Sequence, residues 1–200
     1  MALAAPKPER RYTYRDYLKW HDNERWELIG GEAYSMTPAP SRRHQMLVGN
    51  IFAALHAYFR DKTCEVYVAP FDVRLPAAGE DPDEASNVVQ PDIVVVCDQA
   101  KLDDRGCLGA PDLVVEVVSP GTAKKDMAEK LELYEQAGVK EYWIVHPGDE
   151  TVMVFCAGED GRYGRHKMYG KEDKLAATIF PELVIELADV FVKSGDRGQA

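Results

Sequence analysis

Two acidic residues stand in short apolar runs that have the length of buried strands. Asp92 opens the run at residues 92–96, and Glu116 lies in the middle of the run at residues 113–118. A carboxylate in a buried strand is costly unless it is paired, because its charge loses hydration. Two such carboxylates, brought together, suit a hard divalent cation that prefers oxygen ligands and keeps several waters. The alternative is structural: Asp92 caps a loop and Glu116 pairs with an arginine.

A lysine follows in a helix predicted over residues 124–137. Lys130 lies on or beside an inward stripe formed, at a spacing of three and four, by Met127, Leu131 and Tyr134. Lysine is rarely buried without a partner, and the strand–turn–helix return brings this helix face over the strand that carries Glu116. The alternative is a surface ion pair between Lys130 and Asp126, four residues before it.

Two acids and one lysine, with a metal ion, can hydrolyse a phosphodiester. The cation polarises the phosphate and lowers the pKa of a bound water, while the lysine orients that water or stabilises charge on the phosphate. Strand alternation puts four residues on one face, Asp112, Val114, Glu116 and Val118. Glu116 is therefore one strand-width from Asp92 if the two strands pair.

Helices and apolar strands alternate along the chain, which predicts an α/β (α+β) fold with a central mixed β-sheet flanked by helices. We expect helices at residues 14–21 and from Ser41 to about residue 60, the latter with one apolar face. Strands are expected at 26–29, 32–36, 92–96, 113–118, 141–145, 151–156 and 163–169, and a strand with a short helix within 180–192. The segments 64–69 and 71–75 are expected to be two strands or one bent strand. The segments 76–89 and 99–110 are expected to be a surface loop and a connection.

Length and charge bound the possible functions. The 200 residues predict one domain at 11–193, with flexible tails at 1–10 and 194–200. The net charge of −10 argues against a non-specific nucleic-acid coat, but it permits a local basic cleft or a metal site whose cation offsets the acids. No apolar run approaches the roughly 18 residues that span a bilayer.

The four cysteines point to a reducing compartment. Cys64, Cys97, Cys107 and Cys156 lie far apart and form no CxxC pair. We therefore expect reduced thiols and a cytoplasmic location rather than a disulfide framework or a zinc site.

Six segments, taken together, resemble the PD-(D/E)xK nuclease superfamily and, more closely, the bacterial Uma-two family of restriction-endonuclease-like proteins. They are WELIGGEAYSM (26–36), SRRHQ (41–45), VQPDIVVV (89–96), GAPDLVVEVVSPGT (109–122), DMAEKLELY (126–134) and GVKEYWIVHP (138–147). The resemblance covers nearly the whole chain. It implies a restriction-endonuclease-like domain whose site lies at the edge of the sheet.

The resemblance also implies roles for individual residues. Asp92 takes the PD aspartate position and Glu116 the D/E position, both as metal ligands. Val118 stands where the signature lysine is expected, and Lys130 matches a lysine that has moved to the following helix. The run from Lys130 to Tyr134 resembles the QxxxY element of related nucleases, with lysine in place of glutamine.

Two further positions are weaker candidates, and three others are expected to have no catalytic role. Glu27, in the predicted hairpin, either adds a carboxylate to the site or is a surface strand residue. His44, facing inward at the start of the long helix, matches the histidine of the family or is a hydrogen-bonded core histidine. His146 replaces the aspartate usual before the proline, and we expect no catalytic role for it. Ser119 and Thr122 are expected to shape the turn, because no Gly-x-Ser-x-Gly elbow surrounds Ser119.

The expected function is a metal-dependent endonuclease that uses Mg²⁺, with Mn²⁺ able to substitute. The resemblance favours DNA as the substrate and leaves RNA open. A homodimer is expected if both strands of a duplex are cut, because two cuts are easiest with two related sites. The rival is a non-catalytic dimerising or partner-binding domain on the same fold, which the acidic charge favours. A third alternative is a phosphodiesterase or nuclease for a small or modified nucleic acid.

Overall fold

The computed structural model describes residues 10–20, 24–36, 39–119 and 125–192. Its α-helices are α1 (Tyr14–Tyr17), α2 (Arg42–Phe59), α3 (Lys130–Ala137) and α4 (Leu187–Val190). Its strands are β1 (Trp26–Ile29), β2 (Glu32–Ser35), β3 (Glu65–Val68), β4 (Val73–Arg74), β5 (Val88–Val89), β6 (Ile93–Val96), β7 (Leu102–Asp103), β8 (Gly106–Leu108), β9 (Leu113–Val117), β10 (Glu141–His146), β11 (Thr151–Cys156), β12 (Lys167–Gly170), β13 (Lys174–Ala176) and β14 (Val184–Glu186). The predicted tails at 1–10 and 194–200, apart from residue 10, lie outside the described residues, as does Thr122.

The strands form two six-stranded mixed sheets and one small hairpin. The first sheet has the order β2-β1-β5-β4-β8-β7, the second sheet the order β12-β11-β10-β9-β6-β3, and β13 pairs with β14. In the second sheet, β9 and β10 are parallel and the other neighbours are antiparallel. The α+β class with mixed pairing is confirmed. The predicted central mixed sheet corresponds to the second sheet, and the first sheet is an additional layer that shares in covering it.

Both faces of the second sheet are covered, which explains its continuous apolar runs. On one face, the apolar side of α2 packs with the C-terminal hairpin and α4 against Ile93, Val95 and Val115. On the other face, Tyr134 of α3 and residues of the first sheet pack against Val94 and Val114. The carboxylate of Glu116 therefore lies on the face that α3 and the first sheet cover.

The unit β9–α3–β10 has the predicted order of strand, helix and strand. Gly138 ends α3 in the left-handed conformation, with φ of 88°, and its N–H donates to the Tyr134 carbonyl over 3.1 Å. Glycine adopts this conformation without a Cβ penalty. The helix α2 is likewise as predicted, with the Ser41 hydroxyl accepting from the His44 N–H at 3.2 Å. The cap fixes His44 in the first turn of α2.

Several boundaries differ from the prediction. Helix α1 ends at Tyr17, the segment 76–89 includes the buried strand β5, and the segment 99–110 includes the hairpin β7–β8. Strands of two or three residues are too short to show alternation, so periodicity cannot detect them. Residues Lys125–Glu129 form a π-helical turn before α3. Because this turn has i→i+5 hydrogen bonds, the α-helical spacing of α3 does not predict which of its side chains face inward. Met127, predicted to face inward, is 41% exposed.

The cysteine prediction is wrong for one pair. Cys64 and Cys97 form a disulfide across a sequence separation of 33. The register of β3 and β6 pairs Glu65 with Val96, so the two cysteines are the next pair in the same ladder. Short CxxC spacing was the wrong signal for a cross-strand bond, and this pair no longer supports the inference of a reducing compartment. Cys107 and Cys156 are free thiols. Among the described helices, none has the length and apolarity needed to cross a membrane.

A buried glutamate ties the second sheet to the C-terminal hairpin. The Glu141 side chain accepts from the Trp143 indole N–H at 2.7 Å, and from the backbone N–H groups of Thr178 and Ile179 at 2.8 and 2.9 Å. The latter two residues lie in the connection between β13 and β14. Glu141 is fully buried, and its three donors replace the hydration that the carboxylate has lost.

Glu141→Ala should lower the free energy of unfolding by about 3 kcal/mol, because the buried Trp143 indole and two part-buried backbone donors lose their acceptor. Urea unfolding of the variant beside the wild type measures the loss. Glu182→Ala, at an exposed position of the same connection, is the control and should change stability by about 0.5 kcal/mol or less. Equal effects of the two substitutions would contradict this account of Glu141.

Candidate active site

A buried lysine joins two glutamates that come from different sheets. The Lys130 ammonium lies 2.7 Å from Glu116 Oε1 and 2.8 Å from Glu27 Oε1. The three residues are 3%, 5% and 1% exposed, respectively. They are carried by α3, by β9 of the second sheet and by β1 of the first. The predicted alternative of a surface pair for Lys130 is wrong, and the side chain of Asp126 lies outside the described residues.

Further donors fix the two glutamate carboxylates. The Tyr134 hydroxyl, one turn after Lys130 on α3, donates to Glu116 Oε1 at 2.9 Å. The Gln90 backbone N–H donates to Glu27 Oε1 at 3.0 Å. Val118, at the position of the signature lysine, packs in the apolar core. The ammonium beside Glu116 is therefore supplied from α3, as the sequence indicated.

Asp92 lies directly before β6 and next to Glu116 across the sheet. The ladder pairs Ile93 with Val115, so one further step places Asp92 opposite Glu116. Asp92 Oδ2 accepts from the Val117 N–H at 2.8 Å and lies 3.1 Å from His44 Nε2. His44 is mostly buried, and α2 holds it over the start of β6.

The five candidates from the sequence form two groups of direct contacts, Lys130 with Glu27 and Glu116, and Asp92 with His44. The register of β6 and β9 places the two groups next to each other. They lie where β6 and β9 meet, and these are internal strands of the second sheet. The candidates therefore lie at the ends of internal strands of the sheet, and not on a strand at its lateral edge. Their catalytic roles remain predictions.

The carboxylates determine which metal the site could take. Within the described residues, no group of three or more His, Cys, Asp or Glu side chains is arranged to hold a metal ion. Asp92 and Glu116 form a pair on neighbouring strands, and Asp92 Oδ1 accepts no hydrogen bond from the described part of the chain. Magnesium is commonly bound by one or two carboxylates and completed by water and substrate phosphate. The donor set therefore fits Mg²⁺ or Mn²⁺ at a two-carboxylate site.

A polar network that the sequence analysis missed lies beside the site. The Gln90 amide donates to Asp72 Oδ1 at 2.8 Å and to the Tyr17 hydroxyl at 3.2 Å, and its Oε1 accepts from Arg25 Nε at 2.9 Å. The Tyr17 hydroxyl also donates to Asp72 Oδ1 at 3.2 Å. Burial raises the pKa of Asp72 above its ordinary range, although these donors oppose the shift. The only sequence signal was a glutamine beside the Pro-Asp pair.

Two histidines of similar sequence interest have different surroundings. His44 contacts Asp92, whereas His146 ends β10 and has a buried Nε2 that, among the described residues, has no hydrogen-bond partner. No described contact joins His146 to the five candidates. The expectation that it is not catalytic stays a prediction.

The fold has a relative among solved structures. A crystal structure from Anabaena variabilis, described as "a putative nuclease belonging to DUF820", matches with a TM-score of 0.71 at 17% identity. The match covers 90% of this chain and 97% of that chain. At this identity the likeness establishes the fold alone, which is that of a nuclease-like α+β domain.

Sequence comparison then gives the family. The model of the Uma2 family, described as "Putative restriction endonuclease", matches residues 14–189, and the chain belongs to this family. A relative from Synechocystis sp., named "Uncharacterized protein slr1290", is 24% identical over 161 residues, which are 79% of this chain and 80% of that one. The resemblance stated from the six segments is confirmed.

Lys130→Met should destabilise the protein by about 3–5 kcal/mol at neutral pH, because two buried carboxylates lose their shared cation. Urea unfolding measures the loss. Adding Glu27→Gln to the Lys130→Met protein removes one of the two charges and should recover part of it. A Lys130→Met protein as stable as the wild type would show that the ion pairs do not hold the two sheets together.

Asp72→Asn should change how stability depends on pH. Burial raises the pKa of Asp72 from its ordinary 3.8, so the native state binds more protons than the unfolded state above that value. The wild type therefore loses stability as pH rises from 3.8 through the raised pKa, and the asparagine, which keeps the acceptor, does not. Urea unfolding at several pH values should show that the stability of the variant, relative to that of the wild type, increases with pH over this window. The control, Asp104→Asn at an exposed site, should follow the wild-type curve.

Proposed function

We propose that this protein is a metal-dependent endonuclease that hydrolyses phosphodiester bonds of nucleic acid, with DNA as the favoured substrate. The observation that carries the proposal is the Lys130 ammonium, held by two buried carboxylates beside the Asp92–His44 pair. Membership of a family described as putative restriction endonucleases supports it. A homodimer and a cytoplasmic location belong to the same proposal.

The charges of the site support the proposed dependence on metal. Three carboxylates, of Glu27, Asp92 and Glu116, and one ammonium, of Lys130, sum to −2 with His44 neutral. This charge repels a phosphodiester and attracts a divalent cation, which would bring the sum to zero. The repulsion is strong because the groups are largely buried, where the effective dielectric constant is lower than in water.

Each side chain has a separate role in the proposed reaction. Asp92 and Glu116 would hold Mg²⁺ or Mn²⁺, and the bound cation would lower the pKa of a water and offset charge on the phosphate. Lys130 orients the attacking water or stabilises charge on the phosphoryl oxygens. Glu27 holds the ammonium of Lys130, and His44 orients Asp92. Because these groups are already fixed by neighbours, little reorganisation is needed when the substrate binds.

Asp92→Asn, Glu116→Gln and Lys130→Met should each reduce cleavage of plasmid DNA in Mg²⁺ or Mn²⁺ by about 100-fold or more, because each removes a group that acts on the developing charge. Gel analysis of the cleavage rate makes the measurement. The matched control is Glu132→Gln, an exposed residue on the same helix as Lys130, and it should keep full activity. Full activity of Lys130→Met would remove the lysine from the proposed mechanism.

Calorimetric titration of Mn²⁺ locates the metal independently of cleavage. Wild-type binding that is lost in Glu116→Gln supports the two-carboxylate site, and binding that survives the substitution contradicts it. Manganese is the better titrant, because a magnesium site is often completed only by the substrate phosphate.

A second candidate function is a non-catalytic dimerising or partner-binding domain on this fold. The burial of Lys130 favours it, since a lysine enclosed by two glutamates also serves as a structural brace. A folded wild type that neither binds Mn²⁺ nor cleaves DNA or RNA would support this function over the nuclease.

A further inference from the structure

Arg25 projects from the same face of the first sheet as Glu27. The Met36 N–H donates to the Arg25 carbonyl at 2.8 Å, and this bond continues the ladder in which Trp26 pairs with Ser35. Alternate residues of a strand share a face. The Arg25 side chain therefore leaves the strand two residues before Glu27, on the same face of the hairpin on which Glu27 contacts Lys130.

The Arg25 guanidinium is anchored at one end only. Its Nε donates to Gln90 Oε1 at 2.9 Å, whereas its Nη2 is buried and has no hydrogen-bond partner in the described part of the chain. A buried charged donor without an acceptor is costly, and native proteins leave few such groups unexplained. An anion at this position would satisfy the donor.

Other arginines with restricted exposure have carboxylate partners. Arg43 lies 2.6 Å from Glu150, and the buried Arg74 lies 2.7 Å from Asp103. For Arg25, no carboxylate oxygen of the described residues lies within 4.0 Å. Asp72 is close enough for the Arg25 charge to oppose the rise in its pKa, but its Oδ1 is taken by Gln90 and Tyr17. The positive charge of Arg25 is thus not neutralised by direct contact.

Gln90 holds this arginine in register with the candidate active site. Its side chain accepts from Arg25, and its backbone N–H donates to Glu27. Asp92 follows only two residues later. The position of the guanidinium relative to both acids is therefore set by one buried glutamine.

We propose that Arg25 binds a phosphate of the nucleic-acid strand, next to the phosphate that is cleaved. The planar guanidinium matches two phosphate oxygens at once. A protein of net charge −10 with an acidic site needs such a contact to hold a polyanion. This inference rests on the proposed nuclease function and adds to it a residue for substrate binding.

The test is steady-state cleavage of a short fluorescent DNA duplex, and of the corresponding RNA, by wild type, Arg25→Gln, Arg25→Lys and Arg60→Gln. Arg60 is exposed at the end of α2 and provides the same loss of charge. A contact made equally in the ground and transition states changes KM and not kcat. Arg25→Gln should raise KM about tenfold with kcat little changed, Arg25→Lys should recover part of the loss, and Arg60→Gln should match the wild type.

Other outcomes overturn the proposal in distinguishable ways. Active wild type with equal KM values for Arg25→Gln and Arg60→Gln contradicts the role of Arg25 and leaves the nuclease standing. A lower kcat and a lower melting temperature for Arg25→Gln, with KM unchanged and no rescue by lysine, would show that Arg25 positions Gln90 and does not bind the substrate phosphate. A folded wild type that cleaves neither DNA nor RNA overturns both proposals.

Discussion

The structure depends on one buried ammonium. Lys130 holds Glu27 of the first sheet and Glu116 of the second, so a single side chain links the two layers. Replacing a buried ion pair by well-packed apolar groups is often neutral or stabilising, because both charges lose their hydration. Removing only one partner is costly, because it leaves the other charge buried and unpaired.

The surroundings reduce the cost of that burial. Tyr134 and the Gln90 backbone supply neutral donors to the same two carboxylates, and Asp92 is supported by a backbone N–H and by His44. Each acid is thereby fixed in position by a neutral or cationic neighbour. Fixed dipoles of this kind serve catalysis and stability alike, because they need not reorganise when charge moves.

The sequence predicted the parts of the fold that have a long period or a costly residue. A carboxylate in a valine run and a lysine on an inward helix face are local anomalies, and both were correctly placed at one site. The length of α2 and its buried face followed from the regular spacing of apolar residues over the 18 residues of Arg42–Phe59. Such features can be recognised from the sequence because each lies within a single short segment.

What the sequence could not give were contacts between distant segments. The pairing of Cys64 with Cys97 needs the register of β3 and β6, and Gln90 is joined to side chains from three other segments. Met127 was wrongly predicted to face inward, because α-helical spacing assumes i→i+4 hydrogen bonds throughout and the turn before α3 is π-helical. Two-residue strands such as β5 are defined by their pairing with neighbouring strands, which the local sequence does not show.

The division of the site between two sheets has a consequence for the timing of its assembly. Glu27 leaves the ribosome early and Lys130 more than halfway through the chain, and Glu116 is fixed only when β9 lies between β6 and β10. An incomplete chain therefore holds the acids apart from the lysine. The five candidate residues therefore lie close together only after synthesis has passed β10 and the two sheets have packed against each other.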